Sequence, residues 1–329
     1  MEYQQNLKMD NKYLLLKVIK KLIGYIYKSQ YNHPKLIDSP DLISEKIIAL
    51  LESNEPMMIA RYGSVELSAI VNYIGVHTKL NNRIIQYILG KAPQWWWNKK
   101  LFYNMTNNAG FFPANQLNVE KFCQLMIDDS SQVDMLASWI PDEKYLKKEL
   151  KNAEFVKGIY IEPFWSTVPW TKYLEGKKVL VVHPFAAQIE EQYKHRNLLF
   201  KNPDILPVFQ LITLEAVQSL GGECNDFESW FEALDYMKNK IDCIDYDVCL
   251  IGCGAYGFPL AAHVKRQGKK AVHLGGVLQL LFGIKGKRWM TADYNPIHDY
   301  TQLMNEYWKF PDEKFKPKNA ANVEDGCYW

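Results

Sequence analysis

The sequence predicts an α/β fold: a Rossmann-like, doubly wound, mostly parallel sheet with helices on both faces and a helical N-terminal extension. Two observations predict it. From about Val133, short apolar runs of strand length alternate with stretches of helical periodicity. One of these runs leads directly into a glycine-rich turn at residues 252–257, a spacing typical of nucleotide-binding β–α units.

The composition excludes several classes of protein. With 329 residues, 48% of them hydrophobic and 23% charged, the chain can bury one large core or two moderate ones. A net charge of +2 does not favour nucleic acid as a partner. The N-terminus lacks the residue order of a secretory signal, and the longest apolar run, residues 248–262, contains Gly and Pro and is too short to span a bilayer. We therefore expect a cytoplasmic location.

The cysteines show no CxxC spacing, which predicts reduced core thiols rather than disulfides or zinc ligands. The six are Cys123, Cys224, Cys243, Cys249, Cys253 and Cys327.

An extension is expected over residues 1–54. Within it, residues 14–26 read as an amphipathic helix with apolar residues on one face and lysines largely elsewhere. This helix either packs on the domain or on a second copy of the chain, as in a homo-oligomer, or rests on an anionic surface at the inner face of the membrane. Asp38, Ser39 and Pro40 then offer a cap and a first-turn proline for a helix to about Leu51.

A domain of residues 55–310 is expected to carry the chemistry. It begins with a strand at residues 57–60, a turn, and a helix at about residues 65–73. Residues 94–113 are rich in aromatic side chains and suit either a packed loop region or the wall of a cleft. Residues 311–329 look like a loosely held tail.

The remaining elements alternate regularly. Strands are predicted at residues 133–137, 155–159, 179–182, 208–212, 248–252 and 271–274, and helices at residues 142–150, near Trp170, at 185–195, 226–241 and 257–267, and from Val277.

The glycine-rich turn is the first candidate binding site. Glycines allow a tight turn and the close approach of a diphosphate, while the following helix presents N–H groups and a partial positive charge. We therefore expect this turn to hold the phosphates of a nucleotide; the alternative is a tight β–α turn without a ligand. The candidate contacts are Gly252, Gly254, Ala255, Tyr256 and Gly257.

The next strand argues against NAD. A dehydrogenase needs an acidic residue about twenty positions on, where it meets the ribose hydroxyls. Here that strand ends at His273, which also weakens a methyltransferase interpretation. His273 is either a contact for ribose or phosphate or a structural histidine.

Two further groups are expected near the turn. His183 ends another strand, and ligands of open α/β sheets bind at the carboxyl ends of strands, so His183, His273 and Gly252 are expected to converge on one cleft. Arg288, in a basic cluster at residues 285–288, could bind phosphate or lie in a solvated loop.

The block Arg61-Tyr62-Gly63-Ser64-Val65-Glu66 follows the first strand. We expect Arg61 to bind a diphosphate, and Glu66 to bind a metal or a sugar hydroxyl or to take the acceptor proton. The alternative is an internal ion pair between Arg61 and Glu66 that orders the turn.

Together, this block and the segment Leu250-Ile251-Gly252-Cys253-Gly254-Ala255-Tyr256-Gly257 resemble the GT-D-type glycosyltransferases of bacterial surface-polysaccharide and glycoprotein assembly. The resemblance spans residues 57–289. It implies a Rossmann-like fold and a hexosyltransferase that moves a sugar from a nucleotide-sugar donor, typically a UDP-sugar, to a hydroxyl of a glycan or lipid-linked acceptor.

The resemblance also assigns roles. The family carries Arg-Phe-Gly-Asp-Gly-Glu, whose Asp-x-Glu pair helps to hold a divalent metal and the donor. Arg61, Gly63 and Glu66 match it, and Ser64 stands at the aspartate. Because a hydroxyl is a poorer ligand than a carboxylate, a Mn²⁺ or Mg²⁺ site would need another acid, such as Asp247 or Asp293.

Within this hypothesis the glycine-rich turn, Arg61 and Arg288 hold the diphosphate, and Glu66 or His183 activates the acceptor hydroxyl. Two rival hypotheses use the same turn. One is a Rossmann-type enzyme that uses NAD or S-adenosylmethionine. The other is a non-catalytic scaffold that binds a nucleotide sugar, suggested by Ser64 and the N-terminal helix.

Overall fold

Seven parallel strands form one sheet in the described part of the chain. The structure is a computed structural model and describes residues 13–26, 35–222, 224, 226–316 and 328–329. The strands are β1 Met57–Ala60, β2 Met135–Ser138, β3 Glu154–Lys157, β4 Lys178–His183, β5 Gln210–Glu215, β6 Val248–Ile251 and β7 Lys270–His273. The strand order is β3-β2-β1-β7-β6-β4-β5, so β7 and β6 lie between the first three strands of the chain and the pair β4 and β5.

Helices cover both faces of this sheet. The α-helices are α1 Leu14–Ile26, α2 Pro40–Glu52, α3 Ser64–His77, α4 Arg83–Ile88, α5 Lys99–Asn107, α6 Gln116–Ser130, α7 Ala186–Tyr193, α8 Arg196–Leu199, α9 Trp230–Asp242, α10 Gly257–Arg266 and α11 Leu278–Leu281. Short 3-10 helices lie at Pro141–Leu146, Gly158–Ile161, Trp170–Leu174, Pro203–Ile205, Leu220–Gly222, Gly254–Tyr256, Gly275–Val277, Lys287–Trp289, Tyr300–Leu303 and Glu313–Phe315.

Each face of the sheet has its own core, because neighbouring residues of a strand point to opposite sides. On β4, Leu180 and Val182 pack with α3, α6, α9 and α10, whereas Val179 and Val181 pack with α2, α7 and α11. Burial on both faces explains why β1 and β6 are continuous apolar runs rather than alternating ones. The predicted doubly wound sheet is confirmed.

Two local predictions have clear outcomes. The cap of α2 is confirmed: Ser39 Oγ accepts the Leu42 N–H at 3.4 Å, and Pro40 is the first residue of the helix. The α-helix predicted at residues 142–150 is wrong. A 3-10 helix forms instead, because the Glu143 carboxylate accepts the N–H groups of Trp139 and Ile140 and closes a tight turn.

Helices α4, α5 and α6 were not expected from the sequence. The aromatic-rich stretch that overlaps α5 mostly forms packed structure: Trp95 and Trp96 pack against Tyr87. Only its end, at Asn108 and Ala109, reaches the cleft described below.

The described cysteines, Cys123, Cys224, Cys243, Cys249 and Cys253, are free thiols, and Cys327 lies outside the described residues. The described ends of the tail are anchored: Gln188 accepts the Asp312 N–H, and the Trp329 indole N–H donates to the Phe315 carbonyl. Among the described helices, none combines the length and the apolar character needed to cross a membrane.

Candidate active site

A cleft of about 480 Å³ lies along the carboxyl edge of the sheet. Residues at or just after the end of every strand line it, so the fold concentrates seven strand ends on one opening, where open α/β sheets bind their ligands. They include Arg61 after β1, Trp139 after β2, Glu162 after β3, His183 at the end of β4, Ser219 after β5, Gly252 after β6 and His273 at the end of β7.

The sequence-predicted residues are brought together here, with one exception. Those that line the cleft are Arg61, Gly63, Ser64, Glu66, His183, Gly252, Gly254, Ala255, Tyr256, His273 and Arg288. The expected convergence of His183, His273 and the glycine-rich turn is therefore seen in the structure. The roles assigned to these residues stay predictions.

Gly257 is the exception. It does not line the cleft, and a Cβ at this position would lie 2.3 Å from Nε2 of His273. Glycine is required here because the imidazole ring occupies the space of a side chain. A direct contact between Gly257 and a ligand, expected from the sequence, is therefore replaced by a packing role.

The glycine-rich turn, which follows β6, is in contact with the turn that follows β7. A Cβ on Gly252 would lie 2.7 Å from the Gly275 carbonyl oxygen, so the turns after β6 and β7 meet backbone to backbone. Gly254 adopts a φ of 56°, in the left-handed region that glycine tolerates best. The two turns form a continuous floor of backbone beside His183.

The capping of the helices differs between the cleft and the rest of the molecule. Helices α3 and α7 begin at the cleft, as does the 3-10 helix Gly254–Tyr256 that leads into α10, and none of these has a side-chain cap. Four of the described helices that begin elsewhere are capped by a serine or asparagine side chain, namely α2 by Ser39, α5 by Asn98, α6 by Asn115 and α9 by Ser229, whereas the short helices α4 and α8 have no side-chain cap. The cleft therefore receives three helix N-termini that present backbone N–H groups and partial positive charge, the arrangement that binds phosphate.

Two arginines supply full positive charge to the described lining of the cleft. The Arg61 guanidinium lies 5.3 Å from the centre of the Trp139 ring, with Nη1 3.9 Å from Oε1 of Glu162. The Arg288 guanidinium lies 4.2 Å from the Tyr328 ring centre. Stacked guanidinium groups are well suited to bind phosphate oxygens in pairs.

Glu162 is a site residue that the sequence analysis missed. Its Oε2 accepts hydrogen bonds from the Tyr300 hydroxyl at 2.6 Å and the Trp165 indole at 3.1 Å. Burial raises the pKa of Glu162 to about 7, although these donors and the Arg61 charge act in the opposite direction. The signal that could have found it is its position shortly after β3, beyond the carboxyl end of a strand like the other lining residues.

His183 does not suit the role of base. Its Nδ1 accepts the Phe185 N–H at 3.0 Å, and burial lowers the pKa of the ring to about 3. The ring is therefore neutral at pH 7, with its single proton on Nε2. This nitrogen can donate a hydrogen bond, but no lone pair remains for the acceptor proton.

His273 is also buried and neutral, because burial and the nearby Arg61 charge lower its pKa to about 3. A hydrogen bond with the Arg61 backbone acts on this pKa in the opposite direction. Since the ring lines the cleft and fills the space above Gly257, its packing role is established by the structure, and a contact with a ligand stays a prediction.

Glu66 lies in the first turn of α3 and is half-buried. Its carboxylate folds back over Gly63, where a Cβ would lie 2.1 Å from Oε2. Gly63 thus allows the Glu66 carboxylate to reach the cleft at the helix N-terminus.

The donor set fits a dedicated divalent metal poorly. Glu66 and Glu162 are the carboxylates of the described lining, and Glu162 already accepts two hydrogen bonds. No three His, Cys, Asp or Glu side chains among the described residues are grouped to hold an ion. Asp247, expected to substitute for the family aspartate, precedes β6 at the opposite edge of the sheet and accepts the Lys178 N–H. Asp293 is not part of the lining.

An aromatic wall completes the cleft. Trp139 is 48% exposed, and its indole N–H donates to the Tyr62 carbonyl at 2.9 Å, which fixes the ring beside Arg61. Tyr294 and Tyr300 line the cleft beside Glu162. Flat aromatic faces of this kind suit a nucleobase or the apolar face of a sugar.

No protein-family model and no curated protein matches the chain. Among solved structures, it is similar to a selenomethionine form of a domain of unknown function 1792, with 12% identity, 79% of this chain and 82% of that chain covered, and a TM-score of 0.34. A second structure of this domain, described as a distinct glycosyltransferase fold, shows 14% identity, coverage of 73% and 78%, and a TM-score of 0.33.

A third similar structure is described as a new glycosyltransferase (DUF1792) from Streptococcus sanguinis, with 11% identity, coverage of 85% and 96%, and a TM-score of 0.35. Of the three, one is thus described as a glycosyltransferase and one as having a glycosyltransferase fold.

Proposed function

We propose that the chain is a glycosyltransferase that moves a hexose from a nucleotide-sugar donor, of the UDP class, to a hydroxyl of a glycan or lipid-linked acceptor in surface-polysaccharide biosynthesis. One observation carries the proposal. Three helix N-termini without side-chain caps meet Arg61 and Arg288 at the carboxyl edge of the sheet. A diphosphate matches this concentration of donors and positive charge.

The same groups support the chemistry of transfer. As the bond between the sugar and the diphosphate breaks, negative charge develops on the leaving oxygen, and Arg61 and the N–H groups of the glycine-rich turn stabilise it. Trp139 and the tyrosines exclude water and offer a face for the base or the sugar.

Glu66 is the proposed base. The acceptor hydroxyl gives its proton to the Glu66 carboxylate while its oxygen forms the new bond to the sugar carbon, and the nucleoside diphosphate leaves. Glu162 has a different role in the proposal: it positions Arg61, because its carboxylate is held by Tyr300 and Trp165 and lies beside the guanidinium. No step requires a metal ion.

The rival nucleotide enzymes fit the cleft less well. NAD binding needs a carboxylate beside the glycine-rich turn to hold the ribose hydroxyls. The two carboxylates of the described lining instead follow β1 and β3, and β7, the neighbour of β6, ends at His273. The scaffold hypothesis keeps support from Ser64 and predicts binding of a nucleotide sugar without turnover.

A turnover assay tests the proposal. The purified chain is incubated with UDP-, GDP- and CMP-sugars and a set of glycan acceptors, and the released nucleotide is measured. We expect one donor class to turn over and Glu66→Gln to lower the rate by at least about 100-fold, the scale of a lost general base. The matched control is Glu175→Gln, which changes an exposed glutamate outside the cleft and should leave the turnover rate unchanged.

Thermal melting and nucleotide binding separate the outcomes. Glu66→Gln should melt and bind the nucleotide like the wild type, because only the proton acceptor is lost. Saturable binding without any turnover would favour the scaffold. Stabilisation by NAD or S-adenosylmethionine alone would overturn the proposal.

A further inference from the structure

Helix α1 leaves an apolar stripe facing solvent. Leu14, Leu15, Val18, Leu22 and Tyr25 fall within one 100° arc of the helix, and each is between 47% and 75% exposed. A helix whose function is to pack on its own domain buries such a stripe.

The opposite side of α1 meets the body of the protein, where Leu16, Ile19, Lys20 and Ile23 are partly buried. Lys20 Nζ lies 4.2 Å from the centre of the Tyr87 ring, and Lys17 Nζ lies 6.0 Å from that of Trp96. The Tyr13 ring stacks on Trp96 at 4.1 Å. These contacts hold the helix in place with the apolar stripe outward.

The neighbouring helix extends this apolar surface. Tyr87 belongs to α4, which packs against α1, and Ile84 and Ile85 of α4 are 50% and 57% exposed. Leu80, just before α4, is also exposed. We call these eight apolar residues the α1–α4 surface: Leu14, Leu15, Val18, Leu22, Tyr25, Leu80, Ile84 and Ile85.

The two described segments that carry the α1–α4 surface have charges of one sign. Neither α1 nor residues 78–91 contains an Asp or Glu, and their exposed cations are Lys21, Lys79, Arg83 and Lys91. Acids from other elements come close at the border, where Asp142 acts on Lys20 and Glu120 lies 3.7 Å from His77. The surface is therefore an apolar stripe in a cationic surround.

We infer that the α1–α4 surface docks on an anionic lipid bilayer. Apolar side chains enter the interface while lysine and arginine meet the headgroups, which is how peripheral amphipathic helices bind. A second copy of the chain is a poorer occupant, because it would bring two cationic surrounds together. This inference stands independently of the proposed glycosyl transfer.

Docking would leave the cleft open. Helix α3 begins at the cleft, and its last residue, His77, directly precedes residues 78–91. Its 14 residues span about 21 Å at 1.5 Å each. The two sites thus lie at opposite ends of one helix.

Vesicle co-sedimentation of the full chain tests the inference. We expect binding to vesicles with about 30% phosphatidylglycerol, weak binding to pure phosphatidylcholine, and loss of binding at high salt. Leu22→Glu should weaken binding by at least about 10-fold, because it places a charge on the buried side of the contact. Neutralising Lys21 and Arg83 together, as K21Q/R83Q, should weaken it about 25-fold, or about five-fold for each charge.

Leu117→Glu is the matched control. Leu117 is 62% exposed, but it lies on α6 outside the α1–α4 surface, so this variant should bind like the wild type. Thermal melting shows whether each variant is folded. The inference is overturned if the folded wild type does not bind anionic vesicles, or if Leu22→Glu binds them as tightly as the wild type does. Dimers in light scattering that Leu22→Glu dissociates would assign the surface to a second copy and also overturn it.

Discussion

Arg61 Nη1 lies 3.9 Å from Oε1 of Glu162, and this contact joins the ends of strands β1 and β3 across the cleft. The carboxylate is held from its other side by Tyr300 and Trp165. Because burial raises the pKa of Glu162 to about 7, the charge next to Arg61 changes within the physiological pH range. The positive charge that Arg61 offers to a ligand therefore depends on pH.

The affinity for a nucleoside diphosphate should fall as the pH rises from 6 to 8. Below the pKa of about 7, Glu162 is neutral and Arg61 is available to the diphosphate; above it, the carboxylate competes for the guanidinium. We expect a loss of about five-fold, measured by calorimetric titration of UDP at several pH values. Glu162→Gln should remove most of this pH dependence and keep tight binding. A variant that binds UDP but loses all turnover would contradict the positioning role and identify Glu162 as a base.

Protein stability should respond to the same group. Its folded pKa of about 7 lies above the ordinary value of 4.5, so the folded state holds a proton that the unfolded state has lost between these pH values. The free energy of unfolding therefore falls as the pH rises through this window, by about 3 kcal/mol. Urea unfolding of Glu162→Gln and the wild type should differ increasingly from pH 4.5 to 7 and by a constant amount above it. His183 and His273, whose lowered pKa values act at more acidic pH and in the opposite direction, cancel in this difference.

Gly257→Ala should destabilise the protein by about 1–3 kcal/mol, because the new Cβ overlaps the His273 ring. Combining it with His273→Ala should cost less than the sum of the two single changes, which a double-mutant cycle measures. Gly24→Ala is the control: no atom lies within 4 Å of its added Cβ, and alanine favours a helix. Equal losses at positions 24 and 257 would argue against the packing role of Gly257.

Chelation should have little effect on turnover. Ser64 stands near one carboxylate of the cleft lining, Glu66, and Asp247 lies at the other edge of the sheet. We expect EDTA to lower the rate of the wild type by less than about two-fold, because a single carboxylate is a weak protein contribution to a metal site. Ser64→Asp should gain measurable Mn²⁺ binding, since it places two carboxylates at the start of α3. A wild type that EDTA inactivates and Mn²⁺ restores would contradict this account.

The sheet could be predicted because its strands are short apolar runs, and their carboxyl ends could then be expected to converge. Helices α4 to α6 were not predicted. Helix α4 has only six residues, so its stability depends on tertiary contacts such as that of Tyr87 with Trp96. A single strand end does not show which backbone N–H reaches a side chain. The tautomer of His183, set by the Phe185 N–H, therefore required the structure.

Glu162 escaped prediction for a related reason. It follows β3 across a 3-10 helix, and its partner Tyr300 is 138 residues away in the sequence. Its raised pKa results from burial that only the packed chain creates. Likewise, the sequence showed that α1 is amphipathic but not which of its faces meets the body.

The most direct test of the central claim is a calorimetric titration of UDP into the wild type and Arg61→Ala at pH 7, with Arg83→Ala, an exposed arginine outside the cleft, as control. We predict saturable binding that Arg61→Ala weakens by at least about 10-fold, the scale of a lost charged hydrogen bond, while Arg83→Ala leaves it unchanged. A diphosphate site in this cleft would be contradicted if Arg61→Ala bound UDP as tightly as the wild type. It would also be contradicted if the wild type bound NAD or S-adenosylmethionine but neither UDP nor another nucleoside diphosphate.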